Sequence, residues 1–179
     1  MNKYHADFYR MTENKWGITP KNIMKLFLHH NLFYMYFWRI YENNKNIFVR
    51  YILSRLSKKY GLEISTRANI GEGLYLGHAY NITVADGAVL GKNVNLHKGC
   101  TIGRENRGKR IGTPVLGNQV FIGINSTVVG NIVIGDDVLI APNSYVNFDV
   151  PSHSVVIGNP ATIYAKEDAT WSYVCHRVN

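Results

Sequence analysis

The chain has 179 residues, 46% of them apolar and 18% charged, which suits one folded domain and excludes a disordered or fibrous chain. Its two cysteines, Cys100 and Cys175, are too few for a disulfide framework, and no paired Cys/His spacing suggests zinc. The longest uncharged stretch of the first third, Leu26 to Trp38, is interrupted by His29, His30 and Asn31 and falls short of the roughly 20 apolar residues of a bilayer span. Met1 to Lys15 has no apolar core of a signal peptide, so the expected location is cytoplasmic.

Net charge is +8, and it is concentrated. Residues 1–63 carry 11 Lys/Arg against 4 Asp/Glu, whereas residues 64–179 carry 9 against 8. A solvated surface is the ordinary explanation. Attraction to an anionic membrane at its inner face is the sharper one, with Arg39, Lys45, Arg50, Arg55, Lys58 and Lys59 as the basic set. Nucleic acid is not expected, because no recognition motif accompanies the charge.

Residues 1–60 read as a helical cap. Thr19-Pro20 is an N-cap followed by proline in the first turn, where its missing N–H costs nothing. Ile23, Leu26 and Phe27, then Phe33, Tyr36, Phe37 and Ile40, recur at helical spacing; Asn43 to Asn46 interrupts, and Phe48, Ile52 and Leu56 resume. Two or three helices are expected over roughly 20–60, ending before Gly61.

From residue 61 the period changes to six. Aliphatic residues occupy 64, 70, 76, 82, 90, 96, 102, 116, 122, 128, 134, 140 and 146, with two extra residues placed between 82 and 90 and eight between 102 and 116. Such a hexapeptide repeat predicts one short strand plus a turn per six residues and three units per triangular coil. Each aliphatic side chain then points inward and stacks on its equivalent about 4.8 Å away in the next coil. About five coils over 61–164, mainly β, with a tail over 165–179, are predicted.

The repeats Ile70-Gly71-Glu72-Gly73 and Ile134-Gly135-Asp136-Asp137, with the closing Gly158-Asn159-Pro160-Ala161, resemble the left-handed β-helix acyltransferases. Gly73-Leu74-Tyr75-Leu76-Gly77-His78-Ala79, followed by Ala85-Asp86-Gly87-Ala88-Val89, is similar to the serine O-acetyltransferase branch. The short helical region looks more like the related enzymes of bacterial capsular and exopolysaccharide clusters. The resemblance implies a homotrimer, acetyl-CoA as donor, and active sites between neighbouring prisms; from the Cys and His spacing no metal is expected.

Acetyl transfer to a hydroxyl needs a base, an oxyanion donor and a groove for CoA. His78 falls on the catalytic histidine of the family motif and is the candidate base, since an imidazole titrates near working pH. His97 stacks over Gly77 once the extra residues are counted, and would orient the base, touch substrate or fill a corner. Asp86 matches an acidic residue of the motif and would fix the His78 tautomer across a coil or subunit boundary; a turn carboxylate is the alternative. For CoA the resemblance points to Gly103, Arg104, Ile124 and Pro142, with Gly123 and Ala141 beside them; by their charge, Arg104 and Arg110 of the long loop suit the CoA phosphates, and Lys166 beyond the last coil is expected to reach one.

Two departures bear on the acceptor. The serine enzymes place an aspartate before the catalytic histidine, where this chain has Gly77, and an Arg-His-Pro at the end of the long loop, where it has Gly112-Thr113-Pro114. A zwitterion leaving water needs charged partners. The expectation is therefore an O-acetyltransferase acting on a sugar hydroxyl in polysaccharide biosynthesis. The alternatives are a serine O-acetyltransferase serving cysteine synthesis and a non-catalytic prism subunit.

Overall fold

The computed structural model describes residues 2–179. Four helices come first: α1 (Lys3–Thr12), α2 (Pro20–Leu28), α3 (His30–Asn44) and α4 (Ile47–Tyr60). Thr19 caps α2 through Asn22 N, and Asn46 caps α4 through Phe48 N and Val49 N. Lys45 and Gly61 end the last two helices in the left-handed conformation. The reading from sequence omits α1, whose signals are the Asn2 cap on Tyr4 N and the i, i+4, i+7 spacing of Tyr4, Phe8 and Met11.

Residues 63–165 form a left-handed β-helix of about five turns with three parallel faces. The first face stacks Glu63–Ile64, Thr83–Val84, Thr101–Gly103, Thr127–Val129 and Tyr145–Val146. The second holds Asn69–Ile70, Val89–Leu90, Val115–Leu116 and Val133–Ile134. The third runs from Tyr75–Gly77 through Asn95–His97, Phe121–Ile122 and Val138–Ile140 to Ser154–Gly158, and there Ala161–Ala165 pairs back antiparallel. All 13 aliphatic positions of the repeat are buried and join one core.

The register corrects one detail. Ile64 pairs with Val84, not Ile82, so the two extra residues lie between Leu76 and Val84 rather than between 82 and 90. Ile82 is buried as well, which disguises the shift in a pattern of aliphatic residues. The insertion therefore bulges the corner that carries His78, where His78 and Asn81 both have positive φ.

The helices do more than cover an apolar end. An open first coil would leave a row of strand carbonyls unpaired. Side chains from α1 and α3 take them one by one. Tyr34 Oη donates to Leu62 O, Trp38 Nε1 to Ile64 O, Arg39 to Ile70 O and Gly71 O, and Arg10 to Gly73 O. Asn31 Nδ2 donates to Leu76 O at 3.2 Å, and His30 Nε2 bonds Ala79 O at 2.9 Å. Arg39 is thus a buried cap rather than one of the surface cations it resembles in the sequence.

The last residues fold back over the third face. Asn93 bonds Val178 in both directions, Nδ2 to O at 2.8 Å and N to Oδ1 at 2.9 Å. Asn95 Nδ2 donates to Tyr173 O, and Arg10 donates to Cys175 O from Nε and Nη2. Both cysteines are free, Cys100 buried and Cys175 exposed.

Candidate active site

His78 follows the third face at the corner leading to the first. Its side chain is exposed while Gly77 before it and Ala79 after it are buried. The insertion lifts His78 from the prism together with Tyr80 and Asn81, and Tyr80 N closes the turn onto His78 O at 2.7 Å. One coil on, His97 pairs with Gly77. The imidazole of His97 lies on the glycine: a Cβ at position 77 would stand 2.5 Å from Cε1 and 2.6 Å from Nδ1. Tyr75 and Phe121 flank the ring, with centroids 6.0 and 4.6 Å away. Its Nε2 is buried without a hydrogen-bond partner. Burial and the neighbouring His78 both lower its pKa, so the ring is held neutral.

His78 and His97 line a cavity of about 540 Å³ together with Ile124 and Pro142 of the two next coils at the same corner. Gly123 makes that stack possible, since a Cβ there would stand 2.6 Å from Pro142 N and 2.8 Å from the Ala141 carbonyl carbon. Ser126 Oγ donates to Ala141 O and holds the corner. The remaining walls come from residues that sequence reasoning does not select: Arg10 and Met11 of α1 with its C-cap Glu13, and Ser172, Tyr173, Cys175 and His176 of the tail, with Tyr75, Asn95 and Phe121 of the third face. Only Tyr75 carries a signal, as part of the motif around His78. The others arrive through tertiary packing.

The other expected residues lie elsewhere in the chain. Asp86 does not meet His78 within one chain. It sits at the corner between the first and second faces, bound to Ser65 and Arg67. Gly103, Arg104 and Arg110 belong to that same corner, where residues 104–114 form a projecting loop closed by the Glu105–Gly112 bridge. Arg104 Nε donates to Asn106 Oδ1, and Arg110 approaches Asp149 at 3.9 Å. Lys166 follows the antiparallel strand, its backbone N bonded to His153 O, and does not line the cavity. Among the described residues no three His, Cys, Asp or Glu side chains gather as a metal-binding group.

Residues 113–147 match the sequence profile of the bacterial transferase hexapeptide (six repeats). The serine acetyltransferase of Helicobacter pylori is 34% identical over 121 residues, covering 67% of this chain and 71% of that protein. The chain belongs to the serine acetyltransferase family. Serine acetyltransferase 2 of Arabidopsis thaliana is 34% identical over 151 residues, and there the chain spans 46% of the relative's length. The solved structure of the Neisseria gonorrhoeae family member in complex with serine superposes with a TM-score of 0.71 at 30% identity, over 91% of this chain and 68% of that one. The soybean apoenzyme gives 0.74 at 27% identity, over 90% and 67%. These relatives bear the serine acetyltransferase name, and the capsular or exopolysaccharide character expected from the helical region finds no support in them.

Proposed function

We propose that this protein transfers an acetyl group from acetyl-CoA directly to an acceptor hydroxyl, with His78 as general base. The observation that carries this is the shared cavity: His78 lies beside Ile124 and Pro142, two positions the family assigns to CoA. In this reading the acceptor O–H gives its proton to the imidazole as the oxygen attacks the thioester carbonyl. A tetrahedral intermediate forms, the C–S bond breaks, and the imidazolium returns the proton to the departing thiolate. L-Serine is the acceptor that the relatives' names support, and its product would be O-acetyl-L-serine. A sugar hydroxyl is the second reading, favoured by the uncharged residues at Gly77 and at Gly112-Thr113. The test is H78A or H78Q: kcat should fall by about 10²–10⁴ while CoA affinity and assembly persist. Activity within a few-fold of wild type overturns the assignment.

The same reading includes assembly as a homotrimer, supported by the family resemblance and by the placement of the His78 corner and the basic loop at two different corners of one prism; the loop and Asp86 of a neighbouring copy would then complete the donor site. No helix among the described residues is long and apolar enough to cross a membrane. Peripheral contact with an anionic surface stays a proposal of this reading, supported by the exposed Lys45, Arg50, Arg55, Lys58 and Lys59 next to exposed Ile47 and Phe48.

A further inference from the structure

Position 77 and position 97 are one device. The register sets them side by side on the third face, and the His97 ring fills the space a side chain at 77 would take. The wall next to His78 is therefore an imidazole reaching across from the next coil, and glycine is the residue that admits it.

The charges around this cavity are committed. Arg10 is buried and spends Nη1 on Gly73 O at 2.7 Å, Nη2 on Asn95 Oδ1 at 2.9 Å, and Nε and Nη2 on Cys175 O. Glu13 and His176 pair with each other at 3.1 Å. Among the described residues lining the cavity, no buried charge is left unpaired to receive an ammonium or a carboxylate, and Glu13 stands exposed at the rim beside His176. What remains is uncharged or aromatic: His97, Tyr75, Tyr173 and Phe121, since the Asn95 amide is spent on Arg10 and Tyr173 O. The buried Nε2 of His97 has no protein partner, an omission that is costly in a folded protein and that marks a group open to a ligand or a water.

We infer that the Gly77–His97 pair selects an uncharged hydroxyl compound as the acceptor, with the His97 ring hydrogen-bonding it beside His78. The inference rests on the acetyl-transfer reading and decides between its two acceptors. Burial favours it further: the lowered pKa of His97 keeps its ring a neutral donor and acceptor across the neutral range. The aromatic faces suit the C–H face of a carbohydrate ring.

The experiment compares L-serine with methyl β-D-galactopyranoside and N-acetyl-D-glucosamine, following thiol release from acetyl-CoA by the full chain. Wild type should use an uncharged compound at higher kcat/KM than L-serine. H97L should raise the KM of that acceptor about tenfold, the worth of one neutral hydrogen bond, while the KM for acetyl-CoA stays put. H97N, which keeps an amide in place, should recover part of the loss. G77D should lose activity because its side chain meets the ring. G77D/H97A should restore the fold, followed by circular dichroism, and move the preference toward L-serine. Higher kcat/KM for L-serine in wild type, or an H97L acceptor KM equal to wild type, overturns the inference. The second result would mean that Nε2 serves a water only. Absence of thiol release with every acceptor overturns the acetyl-transfer reading instead. The inference then stands or falls on the His97 ring resonances, assigned against H97N: a shift on adding the uncharged compound supports it, and no shift ends it.

Discussion

Arg39 and Asp7 face each other across α1 and α3 in a forked pair, Nε to Oδ2 at 2.8 Å and Nη2 to Oδ1 at 3.2 Å, and both side chains are buried. The free lone pairs and donors are spent on the first coil: Asp7 Oδ1 accepts from Leu74 N, and Arg39 donates to Ile70 O and Gly71 O. The pair is the joint between cap and prism. Removing one member leaves a buried charge without its counter-ion, so D7A or R39M should cost about 3–5 kcal/mol in urea unfolding. The double variant D7A/R39M should be less destabilised than the sum of the single ones. Additive losses would show that the two act independently.

A corner glycine of the prism and a glycine of the α1–α2 connection should separate sharply by their surroundings. At Gly91 a Cβ would stand 2.5 Å from Gly117 O and 2.6 Å from its carbonyl carbon, backbone that cannot move without parting two coils. At Gly17 nothing lies within 4 Å. G91A should therefore lose about 1–3 kcal/mol, the usual cost of overpacking. G17A should stay within about 0.5 kcal/mol of wild type. Equal effects in thermal unfolding would refute this account of the corners.

The docking of the tail should depend on pH. Asp137 accepts from Thr170 Oγ1 at 2.6 Å, from Thr170 N and Ala169 N at 2.9 Å, and from His153 Nδ1 at 3.0 Å. Burial opposes its ionisation, and these hydrogen bonds outweigh burial and hold its pKa low. The hydrogen bond to Asp137 raises that of His153. The carboxylate supports the tail above its unfolded value of about 4 and loses hold as pH falls through its lower folded one. His153 adds support in full below about 6.5 and loses it as pH rises through its raised value. Hydrogen exchange of residues 169–178 should accordingly be slowest between about pH 4 and 6.5, after correction for intrinsic rates. H153Q should flatten the upper limb, and D137N should weaken protection throughout. Identical corrected profiles in all three proteins would refute the coupling.

If the active site is shared between copies, mixing should reveal it. Chains carrying H78A keep an intact loop, and chains carrying R104A/R110A keep an intact base. Neither assembly should be active at low acetyl-CoA, whereas refolding them together should restore activity. No recovery in mixed assemblies would place the whole site within one chain.

Vesicle sedimentation addresses the basic helices. Arg39 is withdrawn into the core and Lys3 is paired with Glu42 at 2.8 Å, so fewer cations face outward than the sequence count suggests. Each engaged Lys or Arg contributes about 1 kcal/mol near an anionic surface, and three or four suffice for reversible binding. Binding to anionic but not neutral vesicles, weakened by salt, is the expected outcome. No binding at low salt would leave capping as the only role of these helices.

The period of six was enough to determine the β-helix, because each inward position must be aliphatic for the coils to stack and a spacing repeated so often leaves no other fold. The pairing of Gly77 with His97 was legible for the same reason, as a matter of counting residues per coil. The motif around His78 named the candidate base. Tertiary structure decided the rest. Whether the extra pair of residues fell before or after Ile82 was invisible, since both Ile82 and Val84 satisfy an aliphatic pattern and only strand pairing tells them apart. Arg10 and Arg39 read as surface cations until the open carbonyls of the first coil showed what they bind. The wall that the tail lends to the His78 cavity carries no periodic signal, because it is held there by single side chains, Asn93, Asn95 and Asp137, reaching across more than 30 positions of the chain.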